Sequence, residues 1–97
     1  MGHPQEEMFC YDRALAIDPQ YVDAWLNRGV VLSKLNRAIE ALACYNKILE
    51  LQPRHADAWF NKGVVLRKLG QARDAREAFA KAAALDPNLA QQVKQQR

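Results

Sequence analysis

The sequence predicts an all-α protein, a solenoid of antiparallel helix pairs with about five helices and a short C-terminal capping helix. Two closely similar stretches, residues 23–35 and 57–69, lie 34 residues apart. Aligning residues 22–55 with residues 56–89 gives 15 identical positions in 34, and a fixed period of this length is typical of helical repeat arrays. The composition is rich in helix formers, and three of the four Pro lie at the joints between repeats.

The first helix of each repeat is predicted over residues 22–34 and 56–68. Apolar residues recur there at helical spacing, starting in each repeat with a Trp. A glycine in the middle of a helix costs roughly 1 kcal/mol relative to alanine. The recurrence of Gly29 as Gly63 therefore indicates that another backbone approaches each helix closely at that point.

The second helix of each repeat is predicted over residues 37–51 and 71–85. Asn36 and Gly70 precede these helices, and both residue types tolerate the left-handed conformation that ends a preceding helix. A proline follows each second helix and should stop it.

Both ends of the chain continue the pattern. Residues 5–21 match the second half of a repeat, so a helix over residues 5–18 is predicted without a first helix of its own. In residues 90–97 a short capping helix is expected, since Leu89 and Val93 are four residues apart in an otherwise polar stretch. Residues 1–4 are interpreted as a tag remnant or a disordered stretch.

The residues at the centre of each repeat resemble the signature of the tetratricopeptide repeat (TPR) family. In the first full repeat the matching residues are Trp25, Gly29, Ala41, Tyr45, Ile48 and Pro53. In the second they are Trp59, Gly63, Ala75, Phe79, Ala82 and Pro87. The departures are Leu32 and Leu66 in place of the usual Tyr, and Ile48 in place of Ala. The resemblance covers about 85 of the 97 residues and implies a right-handed solenoid that binds a protein or peptide partner.

In this family the first helices line a concave groove, and the resemblance implies which residues face it. They are Asp23, Leu26, Asn27, Val30, Ser33, Lys34, Asp57, Phe60, Asn61, Val64, Arg67 and Lys68. They would form an apolar floor, a pair of amides suited to a peptide backbone and a basic rim. A partner segment with apolar and some acidic side chains fits such a surface. The alternatives are that the two valines are buried between helices and that the two Asn side chains bond locally.

One TPR subclass is argued against by these residues. The carboxylate-clamp TPRs, which hold the acidic C-terminus of cytosolic chaperones, carry Lys and Asn where this chain has Leu26 and Val30. Asp57 also stands where such a clamp uses a Lys. The sequence therefore argues against a heat-shock co-chaperone role.

No constellation for catalysis is visible, and the sequence predicts a protein without enzymatic activity, cofactor or metal. His55 is isolated, and there is no Gly-rich phosphate loop or Cys-x-x-Cys motif. Cys10 and Cys44 occupy equivalent positions one repeat apart, on helices that pack about 8–10 Å from each other. This exceeds the roughly 7 Å limit for a disulfide, so both are expected to be half-buried structural thiols.

The net charge is +3, but residues 1–21 carry one Arg and four acidic residues, a net charge of −3. The basic residues of the body alternate with acidic ones, which argues against nucleic acid as a partner. No apolar run approaches the ~20 residues of a membrane span. With only two Cys, a cytoplasmic location is predicted.

A second hypothesis concerns self-association. A half repeat without a first helix should expose Met8, Phe9 or Tyr11. The −3 charge of this end and the +2 charge of residues 90–97 would favour a head-to-tail homo-oligomer. In the alternative, the N-terminal helix predicted over residues 5–18 packs on the helix that carries Trp25, and the protein stays monomeric.

Overall fold

The computed structural model describes residues 3–95, whose regular secondary structure is entirely helical. The elements are α1 (Pro4–Ile17), α2 (Val22–Lys34), α3 (Ala38–Leu51), α4 (Ala56–Lys68), α5 (Ala72–Leu85), a 3₁₀ turn (Pro87–Leu89) and α6 (Ala90–Lys94). The predicted all-α class is confirmed, with five long helices and one short C-terminal helix. The bounds of α2 and α4 coincide with the predicted first helices, and α3 and α5 each begin one residue later than expected.

Consecutive helices pack side by side and antiparallel, so that the chain forms a right-handed stack. The pairs α2–α3 and α4–α5 are the two full repeats, and α3 packs on α4 to join them. At one end α1 packs on α2, and at the other α6 packs on α5. The molecule measures 35 × 25 × 23 Å along its principal axes.

The joint within each repeat has the left-handed residue that the sequence predicts. Asn36 has a φ of 61° and Gly70 a φ of 79°. After the first of them, the N–H of Arg37 donates to the carbonyl of Leu32 at 2.9 Å, and the second joint repeats this bond at the same length. This is the pattern of a helix end closed by a residue in the left-handed conformation, and it directs each second helix back along the first.

The joint between repeats is held by the tryptophans. The indole N–H of Trp25 donates to the carbonyl of Pro19 at 2.8 Å. Trp59 makes the equivalent bond to Pro53 at 2.9 Å. Each first helix is therefore anchored to the proline that precedes it, so this Trp does more than fill space.

The core runs through the stack in two clusters. The larger is built around Leu32, Tyr45, Ile48 and Val65, all almost fully buried. The smaller one contains Leu66, Ala75, Ala78 and Phe79.

The two mid-helix glycines face the core, but the group that approaches them is not the one expected. A Cβ atom on Gly29 would lie 2.6 Å from the ring of Tyr45, and one on Gly63 would lie 2.6 Å from the ring of Phe79. The prediction of another backbone at these points is therefore wrong, because the close neighbour is the aromatic ring of the following helix.

The two cysteines differ, which corrects the expectation that both are half-buried. Cys44 is fully buried between α3 and α2, whereas Cys10 is exposed, and neither is in a disulfide. The reason is that α2 packs against the cysteine of α3, whereas within residues 3–95 no equivalent helix precedes α1. Burial raises the pKa of the Cys44 thiol, although the nearby Arg28 guanidinium, 3.2 Å from its Sγ, opposes that rise.

The N-terminal helix α1 exposes part of the expected apolar face. Phe9 is 62% exposed, whereas Tyr11 is half-buried and Met8 packs against the larger core cluster. Pro4 is the first residue of α1 and His3 precedes it; Met1 and Gly2 lie outside the described residues. A bilayer crossing needs about 20 apolar residues, and none of the helices in residues 3–95 has that length and apolar character.

Candidate functional site

The predicted groove residues all lie on α2 and α4, which run in the same direction and touch each other. Asp23, Asn27, Lys34, Asp57, Arg67 and Lys68 are exposed, and Leu26, Val30, Ser33, Phe60, Asn61 and Val64 are half-buried. None of the twelve is in the fully buried class. We call this surface the first-helix face.

The apolar residues of the first-helix face also belong to the packing of the stack. Leu26 packs against the larger core cluster, and Phe60 and Val64 pack against the smaller one. The rings of Phe60 and Phe79 are 5.5 Å apart and inclined at 58°, a tilted aromatic pair. These side chains therefore present one edge to solvent and one to the core.

The side-chain amides of Asn27 and Asn61 do not bond locally, which was the alternative for these residues. Within residues 3–95, neither Asn27 nor Asn61 has a hydrogen bond from its side chain. Each amide retains one acceptor and two donor positions for another molecule. They occupy equivalent places in successive repeats.

The charges of the first-helix face are separated along the helices. Asp23 and Asp57 lie in the first turns of α2 and α4, where the helix dipole favours an acid. Lys34 and Lys68 are the last residues of the same helices, and the ammonium group of Lys68 donates to the Ser33 hydroxyl at 3.2 Å. Because α2 and α4 are parallel, one edge of the face is acidic and the other is basic.

Arg67 lies at the basic edge and also lines a cavity beyond it. The cavity has a volume of about 580 Å³ and is mainly apolar. Its other lining residues lie on α5 and α6, and they are Ala72, Ala75, Arg76, Phe79, Ala80 and Val93. The sequence did not predict this cavity, and its lining residue Arg76 stands where the preceding repeat has Leu42.

Comparison with protein families now adds to this geometry. A tetratricopeptide-repeat family model matches residues 33–90, and a second model of the same family matches residues 10–43. The chain belongs to the tetratricopeptide-repeat family. No curated protein sequence gives a significant match to it.

Solved TPR structures superpose closely on this chain. A crystal structure of YrrB, described as a TPR protein with an unusual peptide-binding site, has a TM-score of 0.85 and 28% identity, covering 95% of this chain and 48% of YrrB. A crystal structure of MamA has a TM-score of 0.84 and 21% identity, covering 89% of this chain and 50% of MamA. This chain thus spans about half the length of these proteins. TPR proteins are generally non-catalytic scaffolds for protein interactions.

Two interactions of this TPR chain were not apparent from its sequence. Arg28 forms an ion pair with Asp12 at 2.8 Å, which ties α2 to α1. The ammonium groups of Lys62 and Lys81 lie 5.1 and 4.5 Å from the ring centre of Trp59. Burial, assisted by the nearby Lys81, lowers the pKa of Lys62. The one signal in the sequence is that Arg28 and Lys62 occupy equivalent positions in the two repeats. It does not identify their partners, because the surrounding surface charges differ between repeats.

The isolated histidine has a structural role. His55 lies just before α4, and its Nδ1 accepts a hydrogen bond from the backbone N–H of Ala58 at 3.1 Å. It therefore caps the helix, as side-chain acceptors at this position do. In the described part of the chain, no group of three or more His, Cys, Asp or Glu side chains is placed to hold a metal ion.

Proposed function

We propose that this TPR module binds an extended peptide segment of a partner protein across its first-helix face. The observation that carries the proposal is the pair of amides on Asn27 and Asn61, which have no hydrogen-bond partner in the described chain and recur in successive repeats. An amide side chain donates to a peptide carbonyl and accepts from a peptide N–H at once. Two of them hold a backbone without requiring particular side chains.

The rest of the face determines which peptide fits. Leu26, Phe60 and Val64 offer half-buried apolar contacts between the amides. The basic edge at Lys34 and Lys68 favours acidic side chains on one border of the peptide. The acidic edge at Asp23 and Asp57 disfavours acidic side chains on the opposite border of the peptide. The two edges together therefore favour one orientation of the peptide.

The face is short, and this limits the expected affinity. Neighbouring helices lie about 8–10 Å apart, and an extended chain advances roughly 3.3 Å per residue. With a helix diameter of about 10 Å, two first helices span about 20 Å and therefore contact a segment of about six residues. Selectivity should come from the apolar and acidic positions of the peptide, and affinity should be modest.

Titration of fluorescein-labelled peptides tests the proposal. The peptides come from a display library of extended segments in which apolar positions alternate with Asp and Glu. Replacing both amides, Asn27→Ala with Asn61→Ala, is expected to weaken binding of a selected peptide at least tenfold, the loss of about 1.4 kcal/mol. The matched control is Asn46→Ala, which removes an exposed amide from α3, away from the face.

A second pair of variants tests the basic edge. Lys34→Glu should weaken binding of the acidic peptides and reduce the salt dependence of their affinity. Arg73→Glu makes the same charge change on the exposed surface of α5 and should leave binding unchanged. Full binding by the double amide variant, or equal losses in Lys34→Glu and Arg73→Glu, would exclude the first-helix face as the peptide site.

A further inference from the structure

The apolar cavity adjoins the first-helix face, and Arg67 belongs to both. The cavity lies between the end of α4, one side of α5 and Val93 of α6. The ring of Phe79, which lines the cavity, is 5.5 Å from the ring of Phe60 on the face. The two surfaces are therefore neighbours, and a peptide that lies on one of them can extend onto the other.

The cavity combines an apolar floor with two exposed cations. Phe79 and Ala75 are buried, and the remaining apolar lining consists of small side chains on α5 together with Val93. Arg67 and Arg76 are exposed, and within residues 3–95 Arg76 has no ion pair with another side chain. Binding pockets are typically apolar with a few polar groups that fix the orientation of the ligand. A guanidinium group is suited to a carboxylate, which it binds through two parallel hydrogen bonds.

The size of the cavity suits a bulky side chain. A dry apolar cavity of roughly 150 Å³ is enough to bind benzene. The volume here is about 580 Å³, so an aromatic side chain fits together with part of the backbone that carries it.

The preceding repeat differs at the residue that supplies the charge. Leu42 is the repeat equivalent of Arg76, and it packs against both core clusters. The second repeat thus places an exposed cation at a position where the first places an apolar contact. Charge complementarity at the cavity therefore favours an acidic group beside the apolar one.

The first-helix face alone does not fix the register of a bound peptide. The amides of Asn27 and Asn61 would bond to backbone groups, and these recur at every residue of a peptide. A peptide held only in this way can shift along the face. A pocket that accepts one particular side chain removes that freedom.

We propose that the cavity is the anchor site of the bound peptide, where it takes a bulky apolar side chain while Arg76 pairs with an adjacent acidic residue. This role rests on the proposed peptide binding and adds the residue pair that sets the register. One helix width is about 10 Å, and an extended chain advances roughly 3.3 Å per residue. The anchor pair therefore lies about three residues beyond the segment on the first-helix face.

Fluorescence anisotropy with labelled peptides tests the anchor. The starting peptide is the segment of about six residues selected on the first-helix face. Two series extend it by Ser-Phe-Asp, one at the C-terminus and one, in reverse order, at the N-terminus, so that both chain directions are covered. In one series the extension should strengthen binding at least tenfold, because an aromatic side chain becomes buried. Replacing the added Phe by Ala should remove most of that gain, and replacing the added Asp by Lys should reduce it severalfold.

Variants of the protein locate the gain. Ala80→Phe fills the cavity from an exposed position on α5. It should abolish the gain from the extension and leave the affinity for the short peptide unchanged. Ala43→Phe is the matched control, since Ala43 is exposed on α3, and it should keep the gain. Circular dichroism should show both variants folded, and Ala72→Phe, at the first residue of α5, fills the cavity from a second position.

The charge at the cavity has its own pair of variants. Arg76→Leu restores the residue of the preceding repeat and should abolish the preference for Asp over Lys in the extension. Arg73→Leu removes another exposed arginine of α5 and should leave that preference intact.

The outcomes separate the anchor from the face. Equal affinities of the short and extended peptides in both series would overturn the anchor and leave the first-helix face standing, as would a gain that persists in Ala80→Phe and Ala72→Phe. Full binding by the Asn27→Ala, Asn61→Ala double variant, with a gain that still disappears in Ala80→Phe, would instead exclude the face and retain the cavity as a peptide site. Absence of binding by every peptide would overturn both.

Discussion

Adding one methyl group at Gly29 tests how closely the helices of the first repeat are packed. In Gly29→Ala the new Cβ would lie 2.6 Å from Tyr45 Cε1, 2.9 Å from Tyr45 Cζ and 3.2 Å from the Cβ of Cys44. Real Cβ atoms do not approach other atoms to within 3 Å, so either the Tyr45 ring or the whole of α3 must move. Both Tyr45 and Cys44 are almost completely buried, so neither has room to move aside.

Two opposing effects set the size of the change. Replacing glycine by alanine in a helix interior stabilises it by roughly 0.5–1 kcal/mol. Overpacking of a filled core typically costs 1–3 kcal/mol, and the upper part of that range applies here because two groups on α3 obstruct the methyl group. We expect Gly29→Ala to lower the free energy of unfolding by about 1–2 kcal/mol.

The second repeat provides an internal comparison. In Gly63→Ala the three atoms nearest to the new Cβ all belong to the ring of Phe79, the closest again at 2.6 Å. Phe79 also lines the apolar cavity, so its ring has space into which it can turn. Gly63→Ala should therefore be close to neutral, with the gain in helix propensity offsetting a small cost of repacking.

Urea unfolding followed by far-ultraviolet circular dichroism and by tryptophan fluorescence measures both effects. The two probes should coincide if the stack unfolds cooperatively, and equal slopes then allow the midpoints to be compared. For a domain of this size, 1 kcal/mol corresponds to about 4–8 °C in Tm. A loss in Gly63→Ala as large as that in Gly29→Ala would refute the reasoning that the cavity relieves the clash.

Three further predictions concern the tryptophans, Tyr45 and the thiols. Trp25→Phe should destabilise by about 1 kcal/mol through loss of its bond to Pro19. Trp59→Phe should cost about 1 kcal/mol more, since it also loses much of the contact with two lysines; equal urea midpoints would contradict this. Burial, with a smaller contribution from nearby Cys44, raises the pKa of Tyr45 to about 12 from 10.0. The contribution of the Tyr45 phenol to the free energy of unfolding is therefore fully present below pH 10 and is lost as the pH rises towards 12. Urea midpoints over that range should fall less steeply in Tyr45→Phe, because this variant lacks the buried phenol whose ionisation favours the unfolded chain. In the native protein, Ellman's reagent should react rapidly with Cys10 and with Cys44 only on unfolding; two fast thiols per chain would show that Cys44 is accessible.

The helices were predictable because a few residues fix them. Gly70 tolerates the left-handed turn and the prolines stop the second helices, so the bounds of α2 and α4 follow from the sequence. The environment of Cys10 was not predictable in the same way. Its position in the repeat equals that of Cys44, but burial depends on whether a first helix packs there, and the repeat pattern does not report this.

The helices that carry the candidate site were predictable, whereas its use as a binding site stays a prediction. The repeat and the family resemblance assign Asn27 and Asn61 to one face, and these residues occupy equivalent places on α2 and α4, which touch each other. The bond between Lys68 and Ser33 depends on the rotamers of two exposed side chains in different repeats. The cavity depends on how far α6 extends. The two apolar residues near this five-residue helix were not enough to predict its length from the sequence.

The first-helix face and the C-terminal cavity share one side-chain contact, and this determines which substitutions can separate their roles. Phe60 lies on the face, Phe79 lines the cavity, and their rings are 5.5 Å apart. Truncating Phe60 would remove a contact from the face and also free the Phe79 ring to move into the cavity. A loss of peptide binding in such a variant would not distinguish the two surfaces. A variant at Asn27 avoids this ambiguity, because its side chain is exposed, lies on the first-helix face and is outside the ring pair.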